Sequence, residues 1–155
     1  MATAGQGKEA LPHGQSPTRQ LARRLIEARR SRGSDGDTPA HAAAAACDRL
    51  YRELSRWVGV DGCYALFSRA LAQARTEYPA LGHIEIRARS EPHIDGVAET
   101  IMARGDPATT EALESMLEGL VELLGRLIGD DMARKLIERN LAAPEPSSDR
   151  RREEA

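Results

Sequence analysis

The stretch LSRWVGVDGCYAL, residues 54–66, decides the fold, because one helix ends and another begins within it. Apolar residues at helical spacing lie on both sides of the segment 59–61. So short a break predicts two helices that fold back as a hairpin or meet at a steep angle. Gly59 can adopt the left-handed conformation that closes a helix without a Cβ clash. Asp61 is expected to accept a hydrogen bond from the free N–H groups of the next helix.

The same pattern returns 70 residues later as LGRLIGDDMARKL, residues 124–136. Between residues 50 and 71, 8 of 22 positions are identical to their counterparts 70 residues on, and Gly59 aligns with Gly129. A duplicated unit explains this similarity better than convergence on a common turn, although two copies are fewer than a repeat array needs. The sequence therefore predicts an all-α bundle of two pseudo-repeated helical hairpins, with four main helices, one short helix and a separate basic N-terminal helix.

Both long helices carry an amphipathic apolar stripe with 4-3-4-3 spacing. Thr38-Pro39 and Asp106-Pro107 are typical helix starts, with a capping residue followed by proline. The partner helices are expected over residues 62–78 and 131–142. The stripes consist of Ala43, Cys47, Leu50, Leu54 and Trp57 in the first long helix, and of Leu113, Leu117, Leu120, Leu124 and Leu127 in the second.

The segment between the two hairpins has a different pattern. Ile84, Ile86 and Ala88 alternate with polar residues, as they would in a strand. Because no partner strand is evident in the sequence, an extended connector is favoured over a strand that pairs with a second subunit. A short helix that includes Ile94 and Met102 is expected to start at Pro92 and to end at Gly105.

Composition divides the chain into three parts. Residues 1–37 are predicted to form a disordered leader with a basic helix at about 17–31 and a flexible joint, residues 38–142 the helical bundle domain, and residues 143–155 a disordered tail. The formal net charge of −2 gives the whole molecule no strong attraction to nucleic acid or to anionic membranes. The sequence contains no signal-peptide pattern and no long apolar run, which favours a cytoplasmic location.

Motifs with known chemistry are absent from the sequence, so an enzyme is not the favoured class and no cofactor is expected. Cys47 and Cys63 lie on apolar faces without metal-ligand spacing and are expected to be free thiols. Two histidine–carboxylate pairs could in principle bind a metal, but they lie in or beside a connector where polar residues simply meet water, so a metal site is not favoured. These pairs are His83 with Glu85 and His93 with Asp95.

The charge pattern gives the clearest indication of a partner. The helix at 17–31 has arginine at nearly every charged position, whereas the stretch 106–131 contains seven acidic residues and a single arginine. The basic helix is therefore predicted to dock onto the acidic helix of its own chain or of a second subunit, and the alternative is that both charged faces are simply solvated. The candidate residues for an acidic partner surface are Arg23, Arg24, Arg29 and Arg30, and Trp57 and Tyr64 are candidates for an aromatic contact patch, although Trp57 is rather expected in the core.

These features favour a small, self-associating interaction or regulatory module in the cytoplasm. The first alternative is a nucleic-acid-associated regulator, in which the basic helix contacts phosphates. The second alternative is a ligand-binding or metal-binding bundle with a polar pocket around His83, Glu85 and His93.

Overall fold

The computed structural model describes residues 16–32 and 38–142, which form an all-α bundle, as the sequence predicts. The predicted disordered leader, joint and tail at 1–15, 33–37 and 143–155 lie outside the described residues. The elements in chain order are α1 (Pro17–Arg32), α2 (Pro39–Glu77), a 3-10 helix (Pro79–His83), β1 (Glu85–Ile86), β2 (Ile94–Asp95), α3 (Val97–Arg104), α4 (Asp106–Ile128) and α5 (Asp130–Ala142).

Gly59 divides α2 into a first arm, residues 39–58, and a second arm, residues 60–77, because it alone has non-helical dihedral angles, with φ 82° and ψ 163°. The rings of Tyr51 and Phe67 lie 5.0 Å apart between centroids. A straight helix would separate these two positions by about 24 Å. The Cys63 thiol also donates to the carbonyl oxygen of Tyr51 at 3.4 Å. The chain therefore reverses sharply at Gly59, as its sequence predicts.

Gly129 forms the break between α4 and α5 with nearly the same dihedral angles, φ 95° and ψ 147°. Both values of φ are positive, as expected, but ψ is extended instead of left-handed helical, and only glycine adopts this region readily. The local geometry of the two breaks is therefore alike. The larger relationship, two hairpins related as a repeat, stays a prediction.

Asp61 does not cap the helix that follows the first break, so this expectation was wrong, and its counterpart Asp131 does not cap the helix after the second break either. Their carboxylates are 95% and 90% exposed and contact Arg89 at 3.4 Å and Arg134 at 3.5 Å. The helices restart immediately after each glycine, so both aspartates already lie within the first turn. There they still place negative charge near a helix N-terminus, which is favourable.

α4 is the central helix, and hydrogen bonds fix the direction of its neighbours. The Ala40 N–H donates to Asp106 Oδ1 at 3.3 Å, so the first arm of α2 and α4 start side by side. The second arm returns toward the start of α4, where the Tyr78 hydroxyl donates to Glu111 at 3.3 Å. Both glycine breaks therefore lie at the same end of the bundle, which we call the glycine end.

The segment 84–96 is a small β-hairpin and not an unpaired connector. β1 pairs with β2 antiparallel, with Glu85 opposite Asp95 and Ile86 opposite Ile94. The expectation that the strand has no partner in the chain was wrong, because the partner has only two residues and shows no period of its own. Because residues 94 and 95 form β2, the short helix begins at Val97 and not at Pro92.

One aliphatic core runs through the bundle, and every α-helix contributes buried side chains to it. The apolar stripes of the two long helices are buried except at their last residues, Trp57 and Leu127, which are each 59% exposed. The expectation that Trp57 lies in the core was therefore wrong, because the chain turns away at each glycine before a neighbour covers the final residue. Within the described ranges, each helix is too short or too polar to span a bilayer.

Candidate partner-binding surfaces

α1 docks onto α4 of the same chain through Arg19. The guanidinium donates to Glu118 at 2.9 Å and to Glu114 at 3.1 Å, and the Arg19 side chain is only 4% exposed. Glu118 also accepts a hydrogen bond from the Ser16 hydroxyl at 2.8 Å. The predicted docking of the basic helix onto the acidic helix is thus confirmed within one chain. The sequence did not single out Arg19 from the other arginines, because only the packing shows which of them faces α4.

The Arg19 guanidinium keeps its positive charge although the side chain is buried. Burial alone lowers the pKa of the guanidinium, but contacts with Tyr78, Glu118 and Glu114 outweigh burial and raise the pKa above its usual value. Tyr78 follows the second arm of α2, so the cluster joins α1, α2 and α4. This buried network is a structural link, and its charges are satisfied internally.

The four arginines predicted to bind an acidic partner occupy different environments. Arg23 Nε lies 3.3 Å from Glu114, with the Arg23 side chain 52% exposed. Arg24 lies at the outer side of α1 and reaches Glu138 of α5 at 4.0 Å. Arg30 contacts Glu27 at 3.2 Å on the surface. Arg29 is half-buried and lines a crevice between α1 and α5. Of these four arginines, Arg23, Arg24 and Arg30 are therefore exposed.

Trp57 lies against α5, the same helix that Arg24 reaches. The guanidinium carbon of Arg139 lies 5.9 Å from the centroid of the Trp57 ring, within the range of a cation–π contact. Arg24 contacts the neighbouring residue Glu138. Arg24 and Trp57, two of the predicted partner-binding residues, therefore contact consecutive residues of α5. We call the exposed side of α5, together with these two side chains, the basic face. It consists of Arg24, Trp57, Arg134, Lys135 and Arg139, all exposed.

Tyr64 is exposed, at 42%, but it lies on the second arm of α2. Among the described residues, the aromatic ring contacts join Tyr51 to Phe67 and to His93, and neither Trp57 nor Tyr64 takes part in them. A shared aromatic patch formed by Trp57 and Tyr64 stays a prediction.

His93 helps to hold the β-hairpin against α2. The His93 imidazole stacks on Tyr51 at a centroid distance of 4.2 Å, and its Nδ1 donates to the carbonyl oxygen of Arg87 at 2.8 Å. The His93 N–H donates to Asp48 at 2.7 Å. His83 and Glu85 are exposed. Over residues 16–32 and 38–142, no group of three side chains is arranged to bind a metal ion.

A second exposed surface lies along the seam between the second arm of α2 and α4. Near the glycine end it contains a groove of about 420 Å³, lined by apolar side chains together with Arg69 and Arg126. Farther along the same seam is a hollow of about 190 Å³, lined by small side chains and glutamates, among them Glu77 and Glu122. We call the whole surface the seam face.

Comparisons of this chain with protein-family models, with curated proteins and with solved structures find no match.

Proposed function

We propose that this chain is a small protein-interaction module of the cytoplasm whose basic face binds an acidic surface of another protein. The observation that supports the proposal is that two exposed side chains, Arg24 and Trp57, contact the neighbouring residues Glu138 and Arg139 of α5. Aromatic residues and arginine are enriched in the energetically important centres of protein interfaces. The two free cysteines suit a reducing compartment.

The charges of this surface support an acidic partner. Its four basic residues are accompanied by three exposed acidic residues of α5, Asp130, Asp131 and Glu138, which leaves a net charge of +1 (4 − 3). Positive charge around an exposed tryptophan steers an acidic surface toward the site, while the ring supplies apolar contact. Arg23 and Arg30 are exposed elsewhere on α1, where they contact Glu114 and Glu27.

A capture experiment tests this function. Wild-type protein and the variants Arg24→Glu/Arg139→Glu and Trp57→Ala are used as bait after nuclease treatment, and captured proteins are purified and rebound. We expect both variants to lower the affinity for the purified partner about tenfold. Arg104→Glu is the matched control, because Arg104 is an exposed arginine on α3, outside the basic face.

Two results would contradict the proposal. One is a purified partner whose affinity is unchanged by both sets of substitutions. The other is retention of nucleic acid alone, with affinity that falls steeply as salt increases, which would favour a nucleic-acid-associated regulator.

A further inference from the structure

The groove in the seam face near the glycine end combines an apolar lining with two arginines. We call it the seam groove; its volume is about 420 Å³, and it lies between the second arm of α2 and α4. On α4, Leu123 is only 7% exposed and forms part of the floor, whereas Leu127 stands beside it with 59% of its surface exposed. Leu66 lines the groove from α2. An exposed apolar surface rimmed by polar residues is typical of an interaction site.

The alignment of the two helices places the arginines on opposite sides of the groove. The helices run antiparallel, and a Cβ at Gly119 of α4 would lie 3.9 Å from Gln73 Oε1 of α2, so these two positions are level. Continued toward the glycine end, this alignment leaves Arg69 of α2 about one helical turn from the level of Arg126 of α4. The two guanidiniums therefore flank the groove diagonally, one on each helix.

The arginines of the groove are not neutralised by carboxylates of the folded bundle. Arg69 and Arg126 are both exposed and both line the groove. Within the described ranges, no ion pair engages either of them. Each side of the apolar floor therefore offers a positive charge to a molecule from outside.

Two carboxylates near the groove are engaged by other side chains. Glu122 is level with Arg69, but it accepts a hydrogen bond from Thr18 of α1 at 3.3 Å and lines the neighbouring hollow. Asp61 contacts Arg89 of the β-hairpin at 3.4 Å. Among the residues that the structure describes, the charged side chains that line the groove are therefore both positive.

We propose that the seam groove binds an amphipathic α-helix of another protein, with apolar side chains in the groove and a carboxylate beside each arginine. The two sides of the groove are helices, and their backbone groups are already bonded within each helix, so they offer none to an extended segment. A helix satisfies its own backbone and presents side chains at i, i+4 and i+7 along one side. Because Arg69 and Arg126 lie on opposite sides, the partner's apolar stripe carries acidic residues on both edges.

The length of the groove sets the size of the bound segment. On α2 the lining extends from Gly62 to Arg69, which corresponds to about 10 Å along the helix axis. Three apolar side chains at i, i+4 and i+7 of a helix span about the same distance. Contact with two turns of one helix is well below the roughly 800 Å² per partner of a standard interface, so binding is weak, with a dissociation constant on the order of tens of micromolar.

This proposal does not rest on the basic face, because the two surfaces use different helices. The basic face consists of α5 with Arg24 and Trp57, whereas the seam groove is formed by the second arm of α2 and by α4. The two proposals can therefore fail separately, and substitutions in each surface distinguish them.

Fluorescence anisotropy with a designed peptide tests the groove. The probe is a fluorescein-labelled, alanine-rich peptide of about 18 residues, long enough to form a helix in isolation. It carries leucine at i, i+4 and i+7 and glutamate on both edges of that stripe. Two matched peptides replace the glutamates by lysine or the leucines by serine. We expect the full chain to bind the glutamate peptide with a dissociation constant on the order of tens of micromolar, and each matched peptide at least about tenfold more weakly.

Substitutions in the protein identify the binding surface. Arg69→Glu/Arg126→Glu is expected to weaken binding of the glutamate peptide about tenfold and to strengthen binding of the lysine peptide by a similar factor, because it exchanges attraction and repulsion at both arginines. Leu127→Ser is expected to lower the affinity about fivefold without a change in charge. Arg104→Glu, the matched control on α3, leaves binding unchanged. All of these positions are exposed, and circular dichroism confirms that each variant is folded.

Four results would overturn the proposal. The glutamate peptide does not bind, or its binding persists in Arg69→Glu/Arg126→Glu. Loss of binding in Arg24→Glu/Arg139→Glu alone would place the acidic helix on the basic face instead. Self-association of the wild-type chain in sedimentation equilibrium, abolished by Leu127→Ser and unaffected by the glutamate peptide, would assign the groove to a second copy.

Discussion

Arg19 is the side chain on which the docking of α1 depends most strongly. It donates to Glu114 and Glu118 across a sequence separation of 95 and 99 residues, respectively. The chain contains many arginines on surfaces, but this one is nearly inaccessible to solvent. Removing one partner of a buried charge pair leaves the other charges without compensation, which costs far more than losing an exposed pair.

Replacement of Arg19 by alanine is expected to lower the free energy of unfolding by about 3 kcal/mol, because Glu114 and Glu118 would stay partly buried without a counterion. Urea unfolding followed by circular dichroism measures the change. Arg30→Ala is the matched control, since the Arg30–Glu27 pair is exposed and should contribute less than about 0.5 kcal/mol. Equal costs for the two variants would show that the Arg19 network does not hold α1 in place.

Because of the Cys63 thiol, the free energy of unfolding is expected to fall at alkaline pH. Burial raises the pKa of Cys63 to about 12, whereas an unfolded cysteine titrates at about 8.5. Between these values the unfolded chain releases a proton that the folded chain keeps, so stability falls as pH rises. From pH 8 to pH 10, wild type should lose about 2 kcal/mol more than Cys63→Ala in urea unfolding. An identical loss in both proteins would contradict this prediction. Burial also raises the pKa of Tyr51, to about 12, but Tyr51 is present in both proteins, so its contribution cancels in the comparison.

At the scale of the elements, features that depend on residues close together in sequence could be predicted, and features that depend on contacts between distant residues could not. The positions of Gly59 and Gly129 and the long amphipathic helices follow from residues that are neighbours in sequence. The exposure of Trp57 does not follow from neighbouring residues, because it depends on how α5 lies against α2. The two-residue strands are too short to show any period, and the choice of Arg19 depends on which side of α1 faces α4. The basic face could not be predicted as a unit for the same reason, since three separate helices form it.

Alanine at either glycine break is expected to lower the free energy of unfolding by about 1–3 kcal/mol, because both positions have a positive φ with extended ψ. An added Cβ would meet no atom within 4 Å at either position, so the cost is that of the backbone conformation alone. Gly59→Ala and Gly129→Ala should therefore cost similar amounts in thermal or urea unfolding. Gly82→Ala is the control, as the site is open and φ is ordinary there. Unequal costs would show that the two breaks are energetically different despite their similar angles.

At the scale of the whole molecule, one core joins all the helices, and α1 is part of it. Ala22, Leu25 and Ile26 are each at most 4% exposed and pack in the same cluster as the leucines of α4. A helix with so thin an apolar stripe would be marginal alone. Its stability in the folded chain comes from this packing and from Arg19.

Leu25→Ala is expected to destabilise the whole bundle by about 2–4 kcal/mol, because it leaves a cavity in the shared core. Trp57 is the only tryptophan, so its fluorescence reports the glycine end while circular dichroism reports every helix. Both signals should shift to lower urea concentration together. If the fluorescence transition kept its wild-type midpoint, α1 would behave as the separate unit that the division at residue 37 implies.

The long separation between Arg19 and its glutamates also has a consequence for synthesis on the ribosome. Arg19 is translated 95 residues before Glu114. At about 5–20 residues per second, the side of α1 that faces α4 waits about 5–20 s for that helix. During that interval, Arg19 is without the two glutamates that neutralise its charge in the folded chain. Of the described helices, α1 is thus translated first and is among the last to reach its final position.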